Sequence, residues 1–158
     1  MKIIEKLSAQ CGEEIRHGNK TYHSFPSAAA LSKASPEEIG ICRGGYRCGY
    51  ISGTSVKMEI ARIDKKNLEG KSTPDARKTL LEFPGVGPKV ADCVLLYSGI
   101  KFDVFPTDVW VKRVMESLYI HKPASLGKIQ SFAAERFGAL AGFAQQYLFY
   151  YARKNKLS

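Results

Sequence analysis

A lysine and an aspartate stand at the starts of two predicted helices, where their side chains could do nucleophilic chemistry. Lys89 directly follows residues 85–88 (GVGP), and Asp108 follows residues 105–107 (FPT), 19 positions later (108 − 89). A helix start disfavours a cation because its free N–H groups and its dipole carry positive charge. The same placement favours the neutral amine, which is the nucleophilic form of lysine. On neighbouring helix starts, the amine and the carboxylate can face one cleft.

Both residues also have an ordinary structural interpretation. Most lysines are solvated surface residues, and an aspartate just before a helix is most simply an N-cap. For Lys89 we favour chemistry, because the residue combines the unfavourable end of the dipole with a neighbouring glycine turn. For Asp108 the residue type and its position leave capping and chemistry open.

Residues 80–93 (LLEFPGVGPKVADC) are predicted to form a helical hairpin that positions the lysine. One helix ends before the turn at Pro84 and Gly85, and the next begins at Pro88. Gly85 and Gly87 allow the backbone to approach a ligand closely, and the unpaired N–H groups of the second helix form an anion site. On a basic protein the natural anion is a nucleic-acid phosphate. The alternative is an ordinary αα-hairpin that uses glycine only for turning.

The surrounding sequence predicts an all-α fold. Hydrophobic periodicity is helical almost throughout, and we find no strand-type alternation, no β-hairpin turn signal, no internal repeat and no linker. Residues 35–38 (SPEE) predict a capping box, and Thr73 before Pro74 predicts a second N-cap. The sequence therefore predicts one domain over residues 1–158. Helices are predicted near residues 2–11, 27–33, 36–42, 46–63, 74–82, 88–99, 107–119, 125–137 and 140–153, with turns that include 18–19, 44–45, 67–71 and 84–87.

Charge and composition indicate the class of partner. The chain has 24 Lys and Arg against 15 Asp and Glu, a net charge of +9. Such an excess suits a polyanion, and a basic surface that only maintains solubility is the alternative. The four cysteines form no CxxC pair, which argues against a zinc site, an iron–sulfur cluster and a disulfide framework. With neither a membrane-length apolar run nor a signal-peptide pattern, we expect a soluble, cytoplasmic, nucleoid-associated monomer without membrane contact.

Several motifs in order along the chain resemble the helix–hairpin–helix, Gly/Pro-Asp superfamily of DNA glycosylases, and most closely its 8-oxoguanine DNA glycosylase/lyases. The motifs are GVGPK with VADC (residues 85–93), VFPTDVW (104–110), TYHSFPS (21–27), GYR (45–47) and GFAQ (142–145). The resemblance implies a helical bundle with a groove between two lobes. It also implies base-excision repair of duplex DNA that contains oxidised guanine, with no cofactor required.

The resemblance assigns roles to individual residues. It implies that Lys89 attacks C1′ of a flipped nucleotide, forms a Schiff base and nicks the strand on the 3′ side, and that Asp108 stabilises charge on the sugar and helps activate the lysine. DNA-backbone contacts fall on Gly85, Val86, Gly87, Lys89, Val90 and Trp110. The wedge and the contact to the orphaned cytosine fall on Tyr46 and Arg47. The pocket for the extruded base falls on Cys93, Gln145 and Phe149. A metal cation could be held by the carbonyls of Leu81, Phe83 and Val86.

The sequence departs from the family pattern in two places. Relatives carry an N-terminal β-containing domain before this region, so we expect a chain that is incomplete at its N-terminus, and part of the lesion discrimination depends on that domain. Trp110 stands where eukaryotic relatives tend to have histidine, which points to a bacterial or archaeal form; its ring can contact phosphate or simply pack. Cys93 and Phe149 also fit core packing, and Gln145 also fits a surface helix position.

Three other functions remain open at this level. The chain could be a glycosylase of the same superfamily for another lesion, although the missing cysteine cluster and the GYR and GFAQ motifs argue against an endonuclease III-like enzyme. It could be a non-catalytic DNA-binding module that keeps the hairpin for phosphate contact. The third alternative is a basic helical scaffold without DNA affinity.

Overall fold

Helices make up most of the computed structural model, which describes residues 2–155. The all-α class is confirmed, and the predicted helices occur within a few residues of their expected positions. The capping box at Ser35 and Glu38 is present, with both of its hydrogen bonds formed. The helices are α1 (Lys2–Cys11), α2 (Ala28–Lys33), α3 (Pro36–Gly40), α4 (Arg47–Ala61), α5 (Lys65–Glu69), α6 (Thr73–Leu81), α7 (Pro88–Tyr97), α8 (Val109–Met115), α9 (Leu126–Phe137) and α10 (Ala141–Lys154), with a π-helical turn at Glu116–Ile120 and a 3₁₀ turn at Gly138–Leu140.

The structure contains a short β-hairpin, so the prediction from sequence that β-hairpin turns are absent is wrong. Strands β1 (Glu14–His17) and β2 (Lys20–His23) pair antiparallel around the two-residue turn Gly18-Asn19. Gly18 has φ +58°, as the tight turns favoured in hairpins require. The turn residues were the available signal, but every strand residue is exposed, so no apolar alternation accompanied them.

Two further details differ from the sequence prediction. Helix α5 covers Lys65–Glu69, part of which was predicted as a turn; five residues are too few to show a helical period. The N-cap of α6 is Ser72, whose Oγ accepts a hydrogen bond from the Asp75 amide, and not Thr73. Thr73 instead donates its hydroxyl to the Asp103 carboxylate at 2.8 Å.

The chain divides into two compact units. The first holds the described residues up to Asp64 together with Phe83–Gly85, and the second holds Lys65–Glu82 and the described residues from Val86 onward. The prediction of a single domain stays a prediction, and each unit is described by itself.

The first unit has a small apolar core. Its buried residues are Leu7 from α1, Leu31 from α2, Ile39 from α3 and Cys42 from the following turn. Helix α4 packs against α2 and α3. The core therefore fixes the start of α4, where the predicted wedge residues lie.

The second unit has the larger core cluster, built mainly from α8, α9 and α10. Phe105, Val111, Met115, Ile129, Ala133 and Ala141 are buried in it. Helix α10 packs on α8, and α6 packs on α7. The starts of α7 and α8, where Lys89 and Asp108 lie, both belong to this unit.

Among residues 2–155, no helix is long and apolar enough to cross a membrane.

Candidate functional site

Helix α7 begins with free backbone donors beside Lys89. Gly87 is the N-cap with extended φ and ψ and no side-chain cap, and Pro88 occupies the first helical position. Because proline has no N–H, the first helical hydrogen bond runs from the Ala91 amide to the Gly87 carbonyl at 2.9 Å. The Lys89 and Val90 amides are therefore left without helical partners. Within the second unit, this end of α7 has the donor arrangement predicted for an anion site.

Lys89 is exposed and lies at the edge of a shallow cavity of about 400 Å³ within the second unit. Its side chain makes no ion pair in the part of the chain that the structure describes. Such an amine is accessible to a substrate, and no salt bridge has to be broken before it reacts. The cavity is lined by Arg77, Pro88, Lys89, Asp92, Thr107, Leu126, Gly127 and Gln130.

A buried ion pair beneath Lys89 was not assigned by the sequence prediction. Asp92 lies three residues after Lys89 and is only 2% exposed, and its Oδ1 accepts a hydrogen bond from Arg77 Nε at 2.6 Å. The pair joins α6 to α7 on the inner side of the hairpin. Its sequence signal was an acidic residue on the apolar face of α7, which requires a partner because an unpaired buried carboxylate is costly.

Asp108 is confirmed as the N-cap of α8. Its Oδ1 accepts hydrogen bonds from the Trp110 and Val111 amides, both at 2.9 Å. Its Oδ2 has no hydrogen-bond partner among the described residues, and the side chain is half-buried. Capping and chemistry are therefore compatible, because one oxygen holds the helix and the other remains available.

Gly85 is held in the first unit by α4. It has φ +74°, and a Cβ built on it would lie 2.3 Å from the Tyr50 ring. Next to it, the Pro84 carbonyl accepts a hydrogen bond from Thr54 Oγ1 at 3.3 Å, and the Pro84 ring lies against Gly53. Glycine at position 85 is thus required by its backbone angle and by the tyrosine. The sequence prediction had no role for Tyr50, Gly53 or Thr54.

Tyr46 and Arg47 lie at the start of α4, also in the first unit. Tyr46 is 71% exposed, and the Arg47 guanidinium lies 4.7 Å from its ring centroid. Tyr46 also makes an edge contact with Tyr50 at 5.8 Å between centroids. An exposed aromatic ring on a helix start has the form expected of a wedge, and its role stays a prediction.

Two arginines converge on Trp110 in the second unit. The Arg113 and Arg153 guanidinium groups lie 5.4 Å and 5.9 Å from the indole centroid. Arg153 also lies 5.8 Å from the centroid of Phe149. Neither arginine pairs with a carboxylate within the described chain. The structure thus links two predicted residues, Trp110 and Phe149, through an arginine that sequence reasoning missed.

The remaining predicted pocket residues lie on α10 and α7. Gln145 is 4% exposed, and its side-chain oxygen accepts a hydrogen bond from the side-chain Nε2 of Gln146, so it is not a surface helix residue. Phe149 follows one helical turn later and packs partly against the core. Cys93 is half-buried with a free thiol. The roles of these residues in binding a base stay predictions.

The predicted cation depends on backbone carbonyls. Among residues 2–155, no group of three or more His, Cys, Asp or Glu side chains could hold a metal ion. The carbonyls of Leu81, Phe83 and Val86 are hard oxygen donors, which fit a hard cation and not a thiolate-seeking metal.

No protein-family model matches the chain. It is similar to a protein of Methanothermobacter thermautotrophicus described as a probable N-glycosylase/DNA lyase, with 34% identity over 99% of this chain and 56% of that protein. The chain thus spans about half the length of this relative.

Solved structures agree with this similarity. One described as MBOgg1 in complex with a low-affinity DNA ligand has a TM-score of 0.92 and 44% identity over 98% of this chain and 54% of that one. A Clostridium acetobutylicum 8-oxoguanine glycosylase/lyase, in complex with duplex DNA containing cytosine opposite 8-oxoguanine, has a TM-score of 0.90 and 38% identity over 98% of this chain and 53% of that one.

Proposed function

This chain belongs to the helix–hairpin–helix family of N-glycosylase/DNA lyases, and we propose that it carries the catalytic residues for excising 8-oxoguanine from duplex DNA. The observation that carries the proposal is the start of α7, where an exposed lysine that has no ion pair among the described residues adjoins two backbone amides without helical partners. A nucleophile and a phosphate-binding group on one helix start place the amine close to a sugar of the bound strand.

The proposed reaction begins with Lys89. Its Nζ donates an electron pair to C1′ of an extruded nucleotide, the N-glycosidic bond breaks, and its electrons leave with the base, which takes up a proton. The bound nitrogen then loses a proton, the ring C1′–O4′ bond opens and a C1′=N Schiff base forms. Loss of a C2′ proton breaks the C3′–O bond, whose electrons leave with the 3′ phosphate. Water finally hydrolyses the Schiff base and regenerates Lys89.

Asp108 acts through charge. As the N–C1′ bond breaks, the sugar becomes positive, and a nearby carboxylate stabilises that charge more in the transition state than in the bound substrate. The Oδ2 oxygen, which takes no part in capping α8, is the group proposed for this role. The two hydrogen bonds that Oδ1 accepts from backbone amides hold the carboxylate in position for this role.

DNA binding is proposed to use both units of the chain. Lys89 and Val90 amides at α7 hold one phosphate, with Gly85, Val86 and Gly87 as further predicted contacts, and Trp110 contacts the backbone. Tyr46 and Arg47 occupy the space beside the vacated stack and contact the orphaned cytosine. Cys93, Gln145 and Phe149 hold the extruded base. The backbone carbonyls of Leu81, Phe83 and Val86 would hold a cation, which would supply positive charge for binding the DNA backbone.

Borohydride trapping tests the proposal directly. Reduction of the Schiff base should cross-link the chain to duplexes that contain 8-oxoguanine opposite cytosine or an abasic site. Lys89→Gln should abolish the adduct, whereas Lys128→Gln, which removes an exposed lysine of the same unit, should leave it intact. Undiminished trapping by Lys89→Gln, or no trapping by the unaltered chain, would overturn the proposal.

A comparison of lesions tests the substrate. Duplexes with 8-oxoguanine and with thymine glycol should be excised at clearly different rates, with 8-oxoguanine preferred. A chain that is trapped on abasic DNA but excises thymine glycol faster than 8-oxoguanine would retain the lyase chemistry. That result would contradict 8-oxoguanine as the proposed substrate.

A further inference from the structure

Two free thiols lie in contact on either side of the Tyr46 segment. The sulfur atoms of Cys42 and Cys48 are 3.8 Å apart. Cys42 is 2% exposed in the core of the first unit, and Cys48, in the first turn of α4, is half-buried. Nothing in the proposed DNA chemistry uses either thiol.

The backbone around the two sulfur atoms brings them together and leaves room for them. The Ile39 carbonyl accepts hydrogen bonds from the Cys42 amide at 3.2 Å and from the Cys48 thiol at 3.8 Å. Gly44 lies against both sulfurs: a Cβ built on it would be 3.1 Å from Cys48 Sγ and 3.2 Å from Cys42 Sγ. A larger residue at position 44 would crowd both sulfur atoms.

The two sulfur atoms are in van der Waals contact, so a modest movement separates them from bonding distance. A disulfide has sulfur atoms about 2.05 Å apart, so the two sulfurs need to approach by roughly 1.8 Å. Rotation of the half-buried Cys48 side chain can supply much of that movement, because Cys48 is not enclosed by the core.

We propose that Cys42 and Cys48 are a site of reversible oxidation, at which hydrogen peroxide forms a disulfide that closes the segment carrying Tyr46 and Arg47. The Cys48 thiolate attacks the peroxide oxygen, the O–O bond breaks and hydroxide leaves, giving a sulfenic acid. The Cys42 sulfur then attacks the Cys48 sulfur, and water leaves as the S–S bond forms. The two thiols lose two electrons, and the peroxide gains them.

The order of attack follows from exposure. Cys48 is the more accessible thiol and meets the oxidant first. Burial and the hydrogen bond with Cys48 raise the pKa of the Cys42 thiol above its usual value. A higher pKa leaves less Cys42 thiolate to meet the oxidant, so Cys42 is not the first attacker. Its contact with Cys48 Sγ at 3.8 Å is what suits it to resolve the sulfenic acid.

The disulfide would change the conformational freedom of the predicted wedge. Residues 42–48 include Arg43 and Gly45, both with positive φ, and they contain Tyr46 and Arg47. Closing this short loop pulls its two ends together and restricts the backbone between them. The consequence for DNA rests on the proposed function: an oxidised chain should insert Tyr46 less well beside a damaged site.

Peptide mapping tests the disulfide without DNA. Trypsin cleaves after Lys33, Arg43, Arg47 and Lys57, so Cys42 and Cys48 fall on separate peptides, residues 34–43 and 48–57. After treatment with hydrogen peroxide and alkylation of free thiols, the two peptides should be joined, two hydrogen atoms lighter than their sum. Dithiothreitol should separate them.

Matched variants show whether the pair is specific. Cys42→Ser and Cys48→Ser should each abolish the joined peptides, whereas Cys93→Ser, in the second unit, should leave them unchanged. Full alkylation of both peptides after peroxide treatment would overturn the proposal, as would a cross-link that joins Cys42 or Cys48 to Cys11 instead.

DNA binding tests the consequence for the wedge. Oxidised and reduced chains are compared on a duplex that carries a stable abasic analogue and on an undamaged duplex. We expect oxidation to reduce the preference for the abasic duplex several-fold, and Cys48→Ser to abolish this effect. An equal preference in both redox states, with the disulfide formed, would contradict the coupling to Tyr46. Failure of borohydride trapping by the reduced chain would instead contradict the proposed function.

Discussion

The two carboxylate oxygens of Asp108 have different environments. One caps α8 through two amides, and the other has no hydrogen-bond partner in the described chain. A single side chain is thus compatible with both of the interpretations that the sequence left open. The roles can be separated, because capping needs an oxygen acceptor whereas stabilising a positive sugar needs a negative charge.

Asp108→Asn should keep the cap and remove the charge. Asparagine caps helices about as well as aspartate, so the free energy of unfolding should change by less than about 1 kcal/mol. Removing a charge aimed at the transition state should slow base excision about 100- to 1000-fold. Single-turnover excision and urea unfolding measure the two effects. Unchanged excision by a stable Asp108→Asn chain would contradict the role of Oδ2.

Arg153 lies between two predicted site residues, Trp110 and Phe149, and it pairs with no carboxylate in the described chain. If it contacts a phosphate, Arg153→Gln should weaken binding to undamaged duplex and reduce the slope of log affinity against log salt by about 0.9. Arg136→Gln, an exposed arginine of α9, is the charge-matched control and should change the slope less. Equal slopes for the two variants would mean that Arg153 serves only packing.

The buried thiol of Cys42 makes stability depend on pH in alkaline solution. Burial is the main reason that its pKa lies above 9.0, the ordinary value for a cysteine thiol. The folded state therefore holds this proton more tightly than the unfolded state does. The stabilisation is fully present below pH 9.0 and is lost as pH rises through the folded-state pKa.

The urea midpoint of the reduced chain should accordingly fall between about pH 8 and about pH 10. Cys42→Ser removes the titrating thiol and should show a smaller fall over the same range. The change in urea midpoint with pH is compared between the two chains, and not the midpoint itself, because the substitution also changes core packing. An identical pH dependence in both chains would contradict the assignment to Cys42.

At the scale of elements, α10 depends on a close approach at Gly142, within the GFAQ motif. The Gly142 amide donates to the Phe102 carbonyl at 2.8 Å, and a Cβ there would lie 2.4 Å from Leu96 Cδ1. The motif thus has a packing reason in addition to the proposed role of Gln145 in base recognition. Glycine lets α10 lie against α7 and the segment before α8.

Gly142→Ala should destabilise the chain by about 1–3 kcal/mol, because the added methyl overpacks this contact. Gly127→Ala is the matched control: apart from neighbours in its own helix, no described atom lies within 4 Å of a Cβ built on Gly127, so helix propensity should make the change neutral or stabilising by up to about 1 kcal/mol. Thermal or urea unfolding distinguishes the two. Equal stability of both variants would show that α10 adjusts without cost.

Short elements were the ones that sequence patterns did not resolve. The helices with amphipathic patterns and marked caps were found at their positions, and Ser35 and Asp108 cap as predicted. The hairpin of β1 and β2 and the five-residue α5 were missed, because neither is long enough to show a period and the strands bury nothing.

For the whole molecule, the net charge of +9 sets the expectation for DNA binding. Sequence-independent affinity arises when cations displace counterions from phosphates. With two to three phosphates neutralised, log affinity should fall with log salt at a slope of about −1.8 to −2.7, which is about a 10- to 40-fold loss from 50 to 200 mM salt.

Fluorescence anisotropy with undamaged duplex measures this slope. Lys89→Gln should bind with nearly the same slope as the unaltered chain, since the phosphate contact at α7 uses backbone amides that the variant retains. Binding that is independent of salt would contradict the interpretation of the basic surface and would favour a scaffold without DNA affinity.

The sequence alone determined the local features near Lys89 and Asp108. A proline at the first helical position, glycines in a turn and an aspartate before a helix act through the backbone of a few neighbouring residues, so their consequences can be predicted from spacing. The family resemblance extended these features to a function.

Only the tertiary structure revealed the contacts between distant positions. Arg77 with Asp92, Tyr50 against Gly85, Arg153 across Trp110 and Phe149, and the sulfur pair of Cys42 and Cys48 each join residues through packing of separate elements or turns. No periodicity encodes which side chains will meet in this way, because the meeting depends on how the cores of the two units are filled. The contacts of Arg77 with Asp92 and of Tyr50 with Gly85 hold parts of the predicted hairpin, and the sulfur pair is the site that we propose for oxidation.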